Sequence, residues 1–299
     1  MISSRHVARD RTMYLLLLPG LVLFSLFVVL PSLSSVALSF TDWDGIGKIG
    51  FAGLQNYRSA LSDQLFWDSF KNNFVIILAL TTVPVAVSLV LAVTLSEFVT
   101  NRLGKPVATV FRAGFYVPQV ITPVASAIAW RWILNPSWGA LNHLLTGLGL
   151  GRFGRGWLGY PGSALAWVSA ILIWFQIGYC LVIFIAGVQR INPAIYDAAR
   201  IDGAGTVRRF LSIIVPQLNY EISVVLLTTI MYGLKLFDYV YVLTRGGPDN
   251  ATSVAAYYIY LNYFTYFRVS YGAAISTLLT VGIFIISFIF MRIRMRYEQ

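Results

Sequence analysis

Apolar residues run through this chain in long blocks. Six blocks reach or approach the roughly 20 residues that a helix needs to cross a bilayer core: residues 13–38, 73–95, 109–134, 164–188, 220–236 and 271–291. Pro19, Pro31, Pro84, Pro118 and Pro123 lie in or near them. Prolines are tolerated in such helices because neighbouring helices satisfy the freed carbonyls. The pattern predicts an all-α integral membrane protein with six spans. The first block follows Arg5, Arg9 and Arg11 and superficially resembles a signal peptide. It exceeds the roughly 7–15 residues of a signal core and lacks a convincing small-x-small cleavage site, so it reads as a retained first span.

Between the fourth and fifth blocks the pattern turns polar, in YDAARIDGAGTVRRF, residues 196–210. Asn192 and Pro193 form a helix start, with asparagine as N-cap and proline at the first helical position. That helix carries Tyr196, Asp197, Ala198, Ala199 and Arg200, and stops near Gly203, a residue suited to a left-handed cap. Thr206 then caps a second helix, VRRFLSIIV, which Pro216 ends or bends. Ala198 and Ala199 leave part of the first helix without bulk, open to close approach by another protein. Asp197 and Arg200 are three apart and share a face. A solvated loop needs neither the paired helices nor a proline that sets the angle into the next span.

Composition supports a lipid environment. The 299 residues are 58% hydrophobic and only 11% charged, against about 25% charged in soluble domains. The net charge of +10 is dispersed in short clusters beside the apolar blocks, not gathered in the stripe of a nucleic-acid binder. Those clusters orient the chain. Arg102, Lys105, Arg112, Arg190, Arg200, Arg208, Arg209 and the terminal RIRMR lie close to span ends, which places both termini and the 196–210 interruption in the cytoplasm. Trp43, Trp67, Trp130, Trp132, Trp138 and Trp157 then fall at the outer interface, as an aromatic belt. The single cysteine, Cys180, lies inside an apolar block and excludes a disulfide framework.

Ionisable and polar groups near spans are costly and therefore candidate functional groups. Tyr232, Lys235, Asp238, Tyr239 and Tyr241 follow one another at the outer end of the fifth block, Trp174, Gln176 and Tyr179 lie in the fourth, and Gln119 and Thr122 in the third. Two readings remain open for the fifth-block cluster. One is an interfacial Lys235–Asp238 salt bridge with aromatic anchors. The other is a polar, aromatic wall of a translocation path, with rings stacking on sugar faces. Gln176 needs a hydrogen-bond partner, in a neighbouring helix or a solute. Catalysis lacks its groups: His6 and His143 lie outside the blocks, and no nucleophile–base or carboxylate pair sits at mid-depth. There is no G-x-x-x-x-G-K-[ST] loop, and GLGRFG at 149–154 has no strand before it, so it reads as an outer loop.

DAARIDGAGTVRRFLSIIVP resembles the signature loop of the membrane subunits of ATP-binding-cassette importers. The family pattern is acidic-Ala-Ala, three residues, Gly, nine residues, Ile, one residue, a branched apolar residue and Pro. Asp197, Ala198, Ala199, Gly203, Ile213, Val215 and Pro216 match it in spacing. Two positions depart from it, Asp197 in place of glutamate and Val215 in place of leucine. LLLLPGLVLFSLFVVLPSLSSVALSFTDWDG, FAGLQNYRSAL and VLTRGGPDNAT look like the oligosaccharide and glycerol-phosphate importer branch. The resemblance implies a type I (MetI-like) permease of the bacterial inner membrane. Its parts would be a tail, first span and outer loop (1–71), a core (72–291) with a coupling loop (190–216), and a basic tail (292–299). It also implies a second homologous permease, two ATPase subunits that bind ATP and Mg, and an extracytoplasmic solute-binding protein. On that reading Asp197, Ala198, Ala199, Gly203, Ile213 and Pro216 couple to the ATPase, and this chain holds no cofactor. A self-sufficient secondary carrier is the rival, but no internal repeat is visible. Among importers, an amino-acid or phosphate permease is the alternative to a sugar permease.

Overall fold

The computed structural model describes residues 16–297. The expectations placed on Arg5, Arg9, Arg11 and the start of the first block lie outside the described residues. The described chain is helical nearly throughout, with one isolated antiparallel bridge between Thr41 and Phe51. Helix α1 is Leu16–Leu38, α2 Gln55–Leu61 and α3 Gln64–Val93, which continues through a π-turn at Thr94–Val99. Then follow α4 Lys105–Val120, α5 Pro123–Ile133, α6 Ala140–Gly147, α7 Pro161–Val188 and α8 Pro193–Ile201. The last are α9 Thr206–Gln217 and α10 Asn219–Leu234, α11 Asp238–Leu243, α12 Ala255–Tyr260 and α13 Val269–Tyr297.

Among the described residues four helices are long and apolar enough to cross a membrane: α1, Gln64–Ser96, α7 and Val269–Arg292. The pair α9 and α10, bent by 69°, makes a fifth if it counts as one span. Six continuous spans are therefore not found. The third block is where the expectation departs from the structure, because α4 ends at Val120 and α5 starts at Pro123. A residue before proline is pushed out of the α region, and Thr122 is extended at φ −60°, ψ 144°. Its hydroxyl accepts a bond from the Ala125 amide at 3.4 Å, capping α5. Proline also explains two widened turns. Pro31 and Pro216 have no N–H to bond back along the helix, and π-turns at Ser25–Val29 and Phe210–Ile214 lie just ahead of them.

The described chain divides into two compact units, residues 16–63 with 259–281, and residues 64–258 with 282–297. In the first, side-chain bonds tie distant segments together: Tyr271 Oη donates to Asp63 Oδ2 at 2.6 Å, Thr41 and Ser270 share a hydroxyl bond of 2.6 Å, and Ser39 meets Tyr57 at 2.5 Å. The second unit is built on α3, α4, α7 and α10. Lipid is as apolar as leucine, so close packing and interhelical hydrogen bonds hold such helices together. Gly178 lets α7 approach α4, since a Cβ there would sit 2.5 Å from the Phe115 carbonyl. Asn73 on α3 donates from Nδ2 to the Gly233 carbonyl at 2.7 Å and accepts at Oδ1 from the Ala255 amide at 2.7 Å. Ser88 on α3 donates to the Ile177 carbonyl of α7 at 3.0 Å. At one end of this unit a buried cluster joins Leu89, Ala92, Leu181, Phe184 and Val188 to Ile191, Ile214, Leu218 and Val225. The polar interruption is thus rooted in the core at both its ends.

Candidate functional site

The polar interruption folds as an elbow from Arg190 to Glu221. Its first helix starts as expected: Asn192 Oδ1 accepts a bond from the Ala194 amide at 3.0 Å, just ahead of Pro193. It stops where glycine permits. Asp202 and Ala204 donate to the carbonyls of Ala198 and Ala199 at 3.0 and 2.9 Å, and Gly203 takes φ +70°. No atom lies within 4 Å of a Cβ placed at Gly203, so the demand there is conformational, not steric. The second helix starts differently from the expectation. Its N-cap is Gly205, extended at φ −65°, ψ 165° and without a side-chain cap, and Thr206 is already helical. The bend into α10 falls at Leu218, two residues beyond Pro216, where φ −89° and ψ 11° break the helix.

The elbow has an inward and an outward side. Ile195, Tyr196 and Phe210 pack against the buried cluster, and Ala199 is buried. Ala198 faces outward, so the expected bare surface at both alanines holds for Ala198 alone. Ile213 is half-buried, and its neighbour Ile214 is the residue that enters the core. Pro216 is exposed. The Asp197 side chain and its sharing of a face with Arg200 lie outside what the structure describes. Beyond Ala198 the outward side mixes large apolar residues, with Ile201 87% exposed, Val207 71% and Leu211 59%, with exposed Asp202 and Arg208. Large apolar side chains exposed on a polar segment are candidates for an interaction surface.

The residues expected along a solute path separate into two groups. Gln176 is buried and donates to Thr229 Oγ1 at 2.9 Å, so a neighbouring helix supplies the partner it needed. Tyr239 is fully buried, donates to Ser126 Oγ at 3.1 Å, and meets the Phe175 ring edge-on at 5.6 Å. Burial pushes its phenol up to about 12, the Ser126 bond works against that and Asp238 adds to it, so it stays a neutral donor. Both side chains are buried within this chain and bonded to neighbouring helices. The Lys235–Asp238 ion pair does not form. Lys235 caps α10, and Asp238 opens α11 after a break at Phe237 (φ −135°, ψ −53°), so helical i, i+3 geometry does not apply.

Other members stay accessible. Trp174 is 39% exposed and packs edge-on against Trp130 at 5.3 Å. Tyr179 shares a hydroxyl bond of 3.0 Å with Thr228, and the half-buried Gln119 donates to the Phe175 carbonyl at 2.5 Å. Tyr232 and Asp238 are half-buried, and Lys235 is exposed. Three residues escaped the sequence reading: Asn73, Arg190 as a partner, and Glu221. A lone acid in the first turn of an apolar span is the signal that marks Glu221.

Comparison with known proteins places these features. Residues 88–296 match the family described as "Binding-protein-dependent transport system inner membrane component". The chain is 35% identical over 266 residues to a probable ABC transporter permease protein of Pyrococcus horikoshii, PH1215, covering 89% of both chains. It is 34% identical to the xylose/arabinose import permease protein XacH of Haloferax volcanii, over 82% of this chain and 76% of that one. The fold also matches a chain in the crystal structure of a bacterial alginate ABC transporter complexed with an alginate pentasaccharide-bound periplasmic protein. That match has a TM-score of 0.85 at 21% identity, over 99% of this chain and 98% of the other.

Proposed function

The chain belongs to the family of binding-protein-dependent transport system inner membrane components, and we propose that it is the permease subunit of an importer for a sugar or sugar-like solute, driven by a separate ATPase. It forms half of the translocation path, and a second homologous permease forms the other half. Two ATP-binding-cassette subunits carry ATP and Mg, and an extracytoplasmic binding protein delivers the solute. Both termini and the elbow face the cytoplasm. The sugar assignment is supported by what XacH is named for and by the polysaccharide transporter that shares the fold. Trp174, Tyr179, Gln119, Tyr232, Lys235 and Asp238 are the accessible groups suited to such a solute, with aromatic faces for ring stacking and polar atoms to replace water.

One observation carries the coupling role. A short helix rooted in the core through Ile195 and Tyr196, with Ala199 buried, turns Ala198 and Ile201 outward, and the next helix exposes Val207 and Leu211. Burying the Ile201, Val207 and Leu211 side chains against another polypeptide contributes on the order of 1.5–3 kcal/mol each. A photo-crosslinker attached at Ile201→Cys in the intact complex tests the contact. The expected adduct is with the ATPase subunit, identified by mass spectrometry of the crosslinked peptide. Adducts with lipid alone, at full labelling, would remove the docking role.

A further inference from the structure

Arg190 and Glu221 form an ion pair across the base of the elbow. We propose that this pair is a clasp that makes the two ends of the coupling segment move as one body, so that Arg190 and Glu221 are positioning residues for transport. The inference rests on the coupling reading above and adds to it the part that transmits the motion.

Each charge sits where its helix favours it. Arg190 follows Gln189, the C-cap of α7, and Glu221 lies in the first turn of α10. A cation at a helix C-terminus and an anion at a helix N-terminus are both stabilised by the helix dipole. The pair therefore links the end of one span to the start of the next, and the whole elbow lies between them. Burial makes the link selective. The Glu221 side chain is 7% exposed and that of Arg190 is 67% exposed. A buried carboxylate separated from its cation is strongly disfavoured, so the closed clasp is the favoured state.

The backbone of α7 is shaped for this acid. A Cβ at Gly187 would sit 2.9 Å from Glu221 Cγ and Cδ and 2.5 Å from Leu218 Cδ2. Glycine thus admits the carboxylate arm and the bend residue together. A cavity of about 240 Å³ adjoins the pair, lined by Gly187, Arg190, Ile191, Gln217, Tyr220 and Glu221. The base of the elbow borders that space. The apolar contacts of Ile191, Ile214 and Leu218 hold it laterally but have no directional preference. The ion pair supplies the fixed point. With the clasp closed, displacement of α8 reaches α10; with it open, the glycine turn at 203–205 absorbs the movement.

The test uses the complete complex in vesicles, with solute uptake and ATP hydrolysis measured on one sample. The variants are Arg190→Gln, Glu221→Gln, the double variant, and Gly203→Pro. Each glutamine single is expected to keep its ATPase subunits and lose about tenfold in solute carried per ATP, and the double is expected to lose no more than either single, as one interaction removed twice. Glutamine keeps the shape of Glu221, so assembly is retained while the charge is lost. Unchanged solute per ATP in both singles would overturn the clasp, as would losses that multiply in the double. Normal transport by Gly203→Pro would sink the coupling reading itself. Loss in Gly203→Pro with none in Glu221→Gln would sink the clasp alone.

Discussion

Replacing Gly203 with proline is expected to abolish solute uptake and ATPase stimulation while leaving membrane insertion intact. Gly203 holds φ +70° at the end of α8, and the proline ring fixes φ near about −65°. No relaxation short of redirecting the chain reconciles those values, so the turn between α8 and α9 is lost. The spans are expected to be untouched, because Gly203 lies in the elbow outside them and a Cβ there meets nothing within 4 Å. Gly203→Ala separates strain from geometry. An L-residue in the left-handed region costs roughly 1–2 kcal/mol, which weakens the elbow without redirecting it. Alanine should therefore retain part of the uptake and proline none. Membrane-fraction yield, ATP-driven uptake and ATPase rate of the complex check this in parallel.

Asn73→Leu is expected to cause the largest stability loss of any single polar substitution in the helical core. Asn73 is 1% exposed and bonds both the Gly233 carbonyl and the Ala255 amide. Leucine matches its size but leaves the buried Ala255 amide without its acceptor, and leaves the Gly233 carbonyl only the longer backbone bond from Leu236 at 3.3 Å. Each unsatisfied group costs about 1–3 kcal/mol, and no water replaces the lost side chain in a lipid-facing bundle. The thermal midpoint of the purified protein should fall by roughly 5 °C or more. Gln119→Leu provides the comparison: it removes one bond, to Phe175, from a half-buried position. A smaller shift for Asn73→Leu than for Gln119→Leu would contradict the staple role.

The sequence exposes the long helices because lipid allows no polar stripe, so α1, α3, α7, α10 and α13 stand out as apolar blocks. It also exposes the elbow, because the Asn192-Pro193 start and Gly203 stop act within single turns. Effects that depend on neighbouring elements were harder to read. The third block is apolar enough to cross, but Thr122 before Pro123 divides it, a local effect outweighed by hydropathy in a block reading. Lys235 and Asp238 are spaced as a helical pair, and the break at Phe237 separates them. Tyr239 has the chemistry of a path residue, yet Ser126 and Phe175, far away in sequence, bury it. Glu221 and Arg190 each read as ordinary flanking charges until the folded chain brings them together.

The most direct test of the central idea, that the elbow delivers work done by another polypeptide, is solute accumulation in vesicles. This chain and its partner permease are reconstituted with and without the ATPase subunits, under an imposed proton or sodium gradient and with ATP supplied. Accumulation is expected only when the ATPase and ATP are both present. Uphill accumulation on the ion gradient alone, with the ATPase left out, would contradict that idea.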